Sequence, residues 1–234
     1  MMDSRYAGLL LIVGCTGGTA ERPAPRYQDL SALFQEWRRF QQPKLVEGVP
    51  DYSPAAMAAQ RQELAVMQER LAAIDTAGWS IPQQVDYRIV KAEMNGLDFD
   101  HRVLQPWARN PAFYVTVFPD ESDQPAREGP VTAGAIELWS YRFPLAADDA
   151  RKVGDGLRTI PKLLEQSRTN LVGNAKDLWV YGTRSIRQQS ADLAALSPKV
   201  QGTALAADVA RAKEATDSFA VWLDRQAGSK TEPS

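Results

Sequence analysis

From about residue 30 onward, apolar residues recur every three or four positions, and prolines, glycines and Ser-Pro pairs divide that rhythm into segments. The first segment carries Leu30, Leu33, Phe34, Trp37 and Phe40 at helical spacing, a helix of about four turns. Pro43 and the run EGVPDYSP interrupt it. Ser53-Pro54 then reads as an N-cap followed by proline in the first turn, opening a helix through Met57, Leu64, Met67, Leu71 and Ile74 that Gly78 stops. Ser80 offers a second cap, and a third helix runs through Val85, Ile89, Ala92, Met94 and Leu97 to about His101. Later segments predict helices over about 131–142, 147–170 (with a kink at Pro161) and 175–196. A last helix, opened by Ser197-Pro198, carries Val200, Leu205, Val209, Phe219 and Leu223.

One stretch breaks the rhythm. Between Leu104 and Pro130, prolines at 106, 111, 119, 125 and 130 exclude a long helix, and only Phe113–Phe118 has strand-like content. Irregular segments of that length in compact domains are usually functional or disordered, and the aromatics here argue against disorder. The expected fold class is therefore all-α: a mostly antiparallel multi-helix array with one Pro-rich irregular segment at about 104–130.

The first 26 residues follow a different logic. Tyr6 to Val13 are apolar or small, preceded by Arg5 and followed by Gly14-Cys15, the parts of a short secretory signal. Ile12-Val13-Gly14-Cys15 resembles a bacterial lipobox, which implies cleavage before Cys15 and acylation of its sulfur and new amino group. Two or more acyl chains anchor stably, where one binds only marginally. Residues 1–14 thus read as a lipoprotein signal peptide and 15–26 as a flexible tether. Residues 27–228 form the helical domain, and 229–234 a polar, frayed tail. This places the chain at a bacterial cell envelope, lipid-anchored and facing the periplasm if Gram-negative.

Composition narrows the chemistry. A formal charge of −2 and a pI near 5.6 provide no basic field for nucleic acid. The lone Cys excludes an internal disulfide framework. With one His in 234 residues, neither a His-Glu-x-x-His zinc site nor a di-iron site built on two Glu-x-x-His motifs can be assembled. Asp98 and His101 lie three apart and could meet on one helix face as an acid–base pair. An acidic helix end with a cation suited to its dipole is the plainer reading. Trp107, Phe113, Tyr114 and Phe118 could line a groove or pin the irregular segment to the helices. Asp123 and Arg127, with Asp120, Glu121 and Glu128, could bind a hard cation or stitch the loop by ion pairs. No residue is assigned a catalytic or metal-binding role.

Three long stretches carry a resemblance: LFQEWRRFQQPKLVEGVPDYSPAAMAAQ, the run from QQVDYRIVKAEMNGLDF through AREGP, and ELWSYRFPLAADDARKVGDGLRTIPKLLEQSRTNLVGNAKDLW. As a co-linear pattern over about Leu30 to Leu223, they resemble the amino-terminal part of the bacterial domain of unknown function 885 family. The resemblance implies a mainly helical, zincin-like relative, often exported or lipid-anchored, whose His-Glu zinc motif lies in the carboxy-terminal half. No position here matches those ligands, so zinc is implied only for full-length relatives and no cofactor is expected for this chain. The expected role is a non-catalytic helical module: a substrate-side wall or interaction surface, with an apolar face where a carboxy-terminal half would pack. Its partners would be the membrane, through the anchor, and that half or a peptide-like ligand. A self-sufficient binding lipoprotein using segment 104–130 is the alternative, and an enzyme using His101 with Asp98 ranks last.

Overall fold

A computed structural model describes residues 27–121 and 134–234. It is 71% helical with 4% strand, an all-α fold. The leader, the tether, Cys15, Asp123 and Arg127 lie outside the described residues.

Helices α1 (Tyr27–Phe40), α2 (Pro54–Ala72) and α3 (Ile81–Phe99) build one core from Leu30, Leu33, Trp37, Leu64, Met67, Leu71, Val90, Met94 and Leu97. The anticipated caps are present. Ser53 Oγ accepts the Ala56 N–H at 3.3 Å, and the Ser80 N–H donates to Gln83 Oε1 at 3.0 Å. Between α1 and α2 a hairpin, β1 (Leu45–Val46) with β2 (Val49–Pro50), pairs antiparallel in the register Leu45 to Pro50 and Val46 to Val49. Glu47 and Gly48 turn it with φ of +52° and +81°, the left-handed pair that a two-residue hairpin needs.

Helices α5 (Ala147–Asn170), α6 (Lys176–Leu196) and α7 (Leu205–Ala227) build the second, larger core around Leu157, Ile160, Leu164, Trp179, Ile186, Leu193, Phe219 and Leu223. Met57 of α2 and Tyr52 belong to this core, so α2 bridges the two. Pro161 lies inside the unbroken helical span of α5.

Three expectations need correction, and the Pro-rich segment, irregular as expected, takes a definite form: its described part is a buried plug. It consists of the single turn α4 (Pro106–Arg109), a 3₁₀ turn over Pro111–Tyr114 and β3 (Val117–Phe118), packed against both α5 and α6. The helix expected over about 131–142 is absent over its described part. There, β4 (Ile136–Glu137) pairs parallel with β3, Val117 beside Ile136, and a 3₁₀ turn follows over Leu138–Ser140. Covering Ile136, 3% exposed, against Val117 outweighs local helical preference. Ser197-Pro198 opens a 3₁₀ turn, and α7 starts only at Leu205, because Gly202 at φ +78° reverses the chain between them. Finally, the tail is not frayed at 230–232. Asn174 Oδ1 accepts the N–H groups of Thr231 and Glu232 at 2.7 and 3.2 Å, and Lys176 N–H donates to Glu232 O. Lys230 Nζ lies 4.2 Å from the Trp179 ring centroid.

Candidate functional site: an uncovered apolar face on α3

The Asp98–His101 pair was the nearest approach to catalytic chemistry. Beyond Phe99 the helix continues as a π turn over Asp100–Leu104, which turns His101 inward. The imidazole is 4% exposed, its Nε2 lies 3.0 Å from Gln60 Oε1, and it packs against the Trp107 ring. Burial, reinforced by the Arg61 charge, pushes its pKa down to about 4, so the ring is neutral and donates to Gln60. Asp98 is hydrogen-bonded by Arg102 at 2.7 Å instead. The two side chains are therefore held by different partners. Among the described residues, no three His, Cys, Asp or Glu groups gather in a set able to hold a metal ion.

The aromatic candidates serve the core. Trp107, Phe113 and Tyr114 are 7, 3 and 1% exposed, so they form no open groove wall. Tyr114 Oη donates to Trp107 O at 2.7 Å and accepts from Asn170 Nδ2, and burial raises its pKa further. Gln166 Oε1 accepts the Tyr52 N–H and its Nε2 donates to Pro50 O. Gln189 Oε1 accepts the N–H groups of both Thr116 and Val117. Gln189 on α6 thus satisfies backbone of the plug, which has only the short β3–β4 pairing of its own, while Gln166 on α5 satisfies β2 and its link to α2. Gly182 of α6 lets it seat closely: a Cβ there would meet Ala112 N at 2.7 Å. Phe118, 37% exposed, is the one member of the group near the surface.

A recess of about 560 Å³ lies between the β1–β2 hairpin and α5. Its cations are already engaged, Lys162 by Glu47 at 2.6 Å and Arg158 by Asp155 and the buried Asp208. That balance leaves no charge surplus to select a ligand.

The surface of α3 is different. Its core face is Val90, Met94 and Leu97, covered by α1 and α2. Val85, Ile89 and Ala92, expected among the core positions of this helix, instead face out. Ile81, Val85 and Ile89 are 77, 46 and 50% exposed, Ala92 is exposed and Gly96 half-buried, and Phe99 and Val103 are 46 and 45% exposed. At 100° per residue the six positions within α3 fall within an arc of about 80°, and Val103 follows in the π turn. From Ile89 onward the spacing alternates three and four, the seam of a helix that packs along another helix. Beside Ile89 a groove of about 240 Å³ opens between α1 and α3, lined by Tyr27, Leu30, Phe34 and Val90. The acids next to this face are engaged: Asp86 accepts from Tyr27 Oη at 2.5 Å, and Glu93 accepts from Trp37 Nε1 at 2.7 Å. On the other border, Arg88 and Lys91 make no ion pair among the described residues. The alternation of residue types that marks the face is visible in the sequence. Its exposure is not.

No family model matches the chain, and no curated protein matches it. Among solved structures, the chain is similar to one described as "a putative lipoprotein of unknown function" from Shewanella oneidensis. The match has a TM-score of 0.62 and 14% identity over 88% of this chain. This likeness shows a shared fold. The chain spans 38% of the length of that neighbour. No helix among the described residues is long and apolar enough to cross a membrane.

Proposed function

We propose that this chain is a non-catalytic helical docking module of an exported, lipid-anchored bacterial protein, in which α3 carries the interaction surface. The observation that carries the reading is the α3 face. Isolated apolar residues on a surface need no explanation, but a stripe of six aligned positions on α3, about 27 Å long at 1.5 Å per residue and followed by Val103, is the kind of patch that marks an interaction site. Its backing core is complete without it, so folding of this chain does not require the stripe to be apolar.

The neutral, hydrogen-bonded His101 supports the non-catalytic part of the reading. The resemblance to domain of unknown function 885 supports a relation to metallopeptidase-like proteins, with this chain as a substrate-side wall or packing surface that brings no zinc ligands. The leader with Cys15, and the printed description of the structural neighbour, support the lipid anchor.

Two experiments test this. A photo-crosslinking amino acid at Ile89 in the host cell should give an adduct of defined mass, while the same group at the equally exposed Val221 should not. Adducts at neither position, or at both alike, overturn the docking role. Labelling with a palmitate analogue should mark the wild-type chain and be lost in Cys15→Ser. Unlabelled wild-type protein would remove the anchor.

A further inference from the structure

We infer that the partner seated on α3 is an amphipathic helix whose apolar stripe is bordered by acidic residues. The inference rests on the docking-module reading above and adds the chemistry of the occupant. Three features of the face select it. The first is spacing: Ile89, Ala92, Gly96, Phe99 and Val103 alternate by three and four, which keeps one line of α3 against a straight neighbour only if that neighbour is itself a helix of matching pitch. The second is relief. Ala92 and Gly96 form a low point between the bulky Ile89 and Phe99, where side-chain ridges of a second helix can approach the α3 backbone closely.

The third is charge. Asp86 and Glu93 are held by Tyr27 and Trp37, and Asp98 by Arg102, so the acids around the seam are engaged within the module. Arg88 and Lys91, one turn apart on the border opposite Asp86 and Glu93, have no ion-pair partner among the described residues. A partner helix with Glu or Asp along its matching edge would complete them, as flanking charges do in paired helices. A second copy of this chain paired antiparallel would set its own Arg88 and Lys91 against these, and like charges there disfavour that self-association. A lipid surface would accept the cations but would gain nothing from the three-four spacing or from the low point at Ala92.

The probe is a synthetic helical peptide of about 22 residues, the length of the seam, with a Leu/Ala stripe flanked on one side by Glu. A control peptide carries Lys at the flanking positions. Binding to the whole protein is followed by fluorescence anisotropy at low salt. The Glu-flanked peptide should bind at least about tenfold tighter than the Lys-flanked one. Arg88→Glu with Lys91→Glu should reverse that order, and Ile89→Asp should weaken both. Circular dichroism melts confirm that each variant is folded. Equal binding of the two peptides, binding indifferent to Ile89→Asp, or no binding of either overturns the inference. So does a homodimer dissolved by Ile89→Asp, or preferential capture by phosphatidylglycerol vesicles. A crosslink at Ile89 in cells together with failure here would retain a docking module and reject this occupant; loss of the crosslink would reject both.

Discussion

Around Phe219, helices α5, α6 and α7 converge on rings and aliphatic groups that are almost all below 3% exposed. Trp222 stacks on Phe219, and Trp179 Nε1 donates to Leu223 O. Around Met94 the burial is equally complete, with Met94, Leu97 and Trp37 at 0%, but the cluster is smaller and one of its three helices has a second apolar face turned to water. The difference lies in how each core fills its perimeter. The larger core recruits an irregular segment, packed against α5 and α6 and held by Gln189 of α6, which closes one side of the bundle. Among the described residues the α1–α3 core has no such plug, and α3 has an apolar face on either side of its axis with only one covered. A closed core serves stability, and a half-closed one leaves a surface available for association.

This comparison can be broken most sharply at Phe219. Phe219→Ala empties the centre of the larger core and should cost about 3–5 kcal/mol. Because Phe219 is fully buried among all three helices, denaturant melts should show the loss in the global transition. A smaller loss would mean that the core collapses around the gap.

Protonation of His101 comes next. Its folded pKa near 4 lies below the ordinary value of 6.5, so the unfolded chain binds the proton first as pH falls. Stability should therefore decline from about pH 6.5 towards pH 4, by up to about 3 kcal/mol, and level off below. His101→Gln should flatten this limb of a pH-dependent urea titration, and a variant as pH-sensitive as wild type would contradict the neutral, buried ring.

Gln189→Leu keeps the volume but strands the N–H groups of Thr116 and Val117, at a cost of about 2–3 kcal/mol. Amide exchange should accelerate at those two positions ahead of the helices. The smallest effect belongs to the open face: Ile81→Gln should change stability by no more than about 0.5 kcal/mol, as for other exposed sites. A loss as large as that of a core residue would show that this face is already covered within the chain.

Helix legibility followed local chemistry. The Ser53-Pro54 and Ser80 starts are read correctly because a hydroxyl cap and a proline in the first turn act on their own neighbours, whatever the rest of the chain does. The core faces of α5 and α7 are likewise visible, since one apolar face leaves no choice of side. Failures cluster where the deciding partner is distant. Ile136 is a strand because Val117 lies beside it, and Ser197-Pro198 yields only a 3₁₀ turn because Gly202 reverses the chain. The tail is ordered because Asn174 reaches Thr231 and Glu232. Which apolar residues reach the surface was illegible for the same reason. Trp107, Phe113 and Tyr114 have the composition of a groove and the position of a core, and Val85, Ile89 and Ala92 have the composition of a core and the position of a surface.

Helical class, the boundaries of most helices and the shortage of metal-binding imidazole are properties of the sequence alone, because they depend on residues within a few turns of one another or on a simple count. Which apolar face of α3 is covered was decided by α1 and α2, which can pack on only one side of it. That the Pro-rich segment is a buried plug was decided by α5 and α6, whose packing, with Gln189 and Gly182 of α6, makes its burial affordable. Tertiary contact settles these questions because burial is a property of pairs of surfaces, and a linear pattern displays only one surface of each pair.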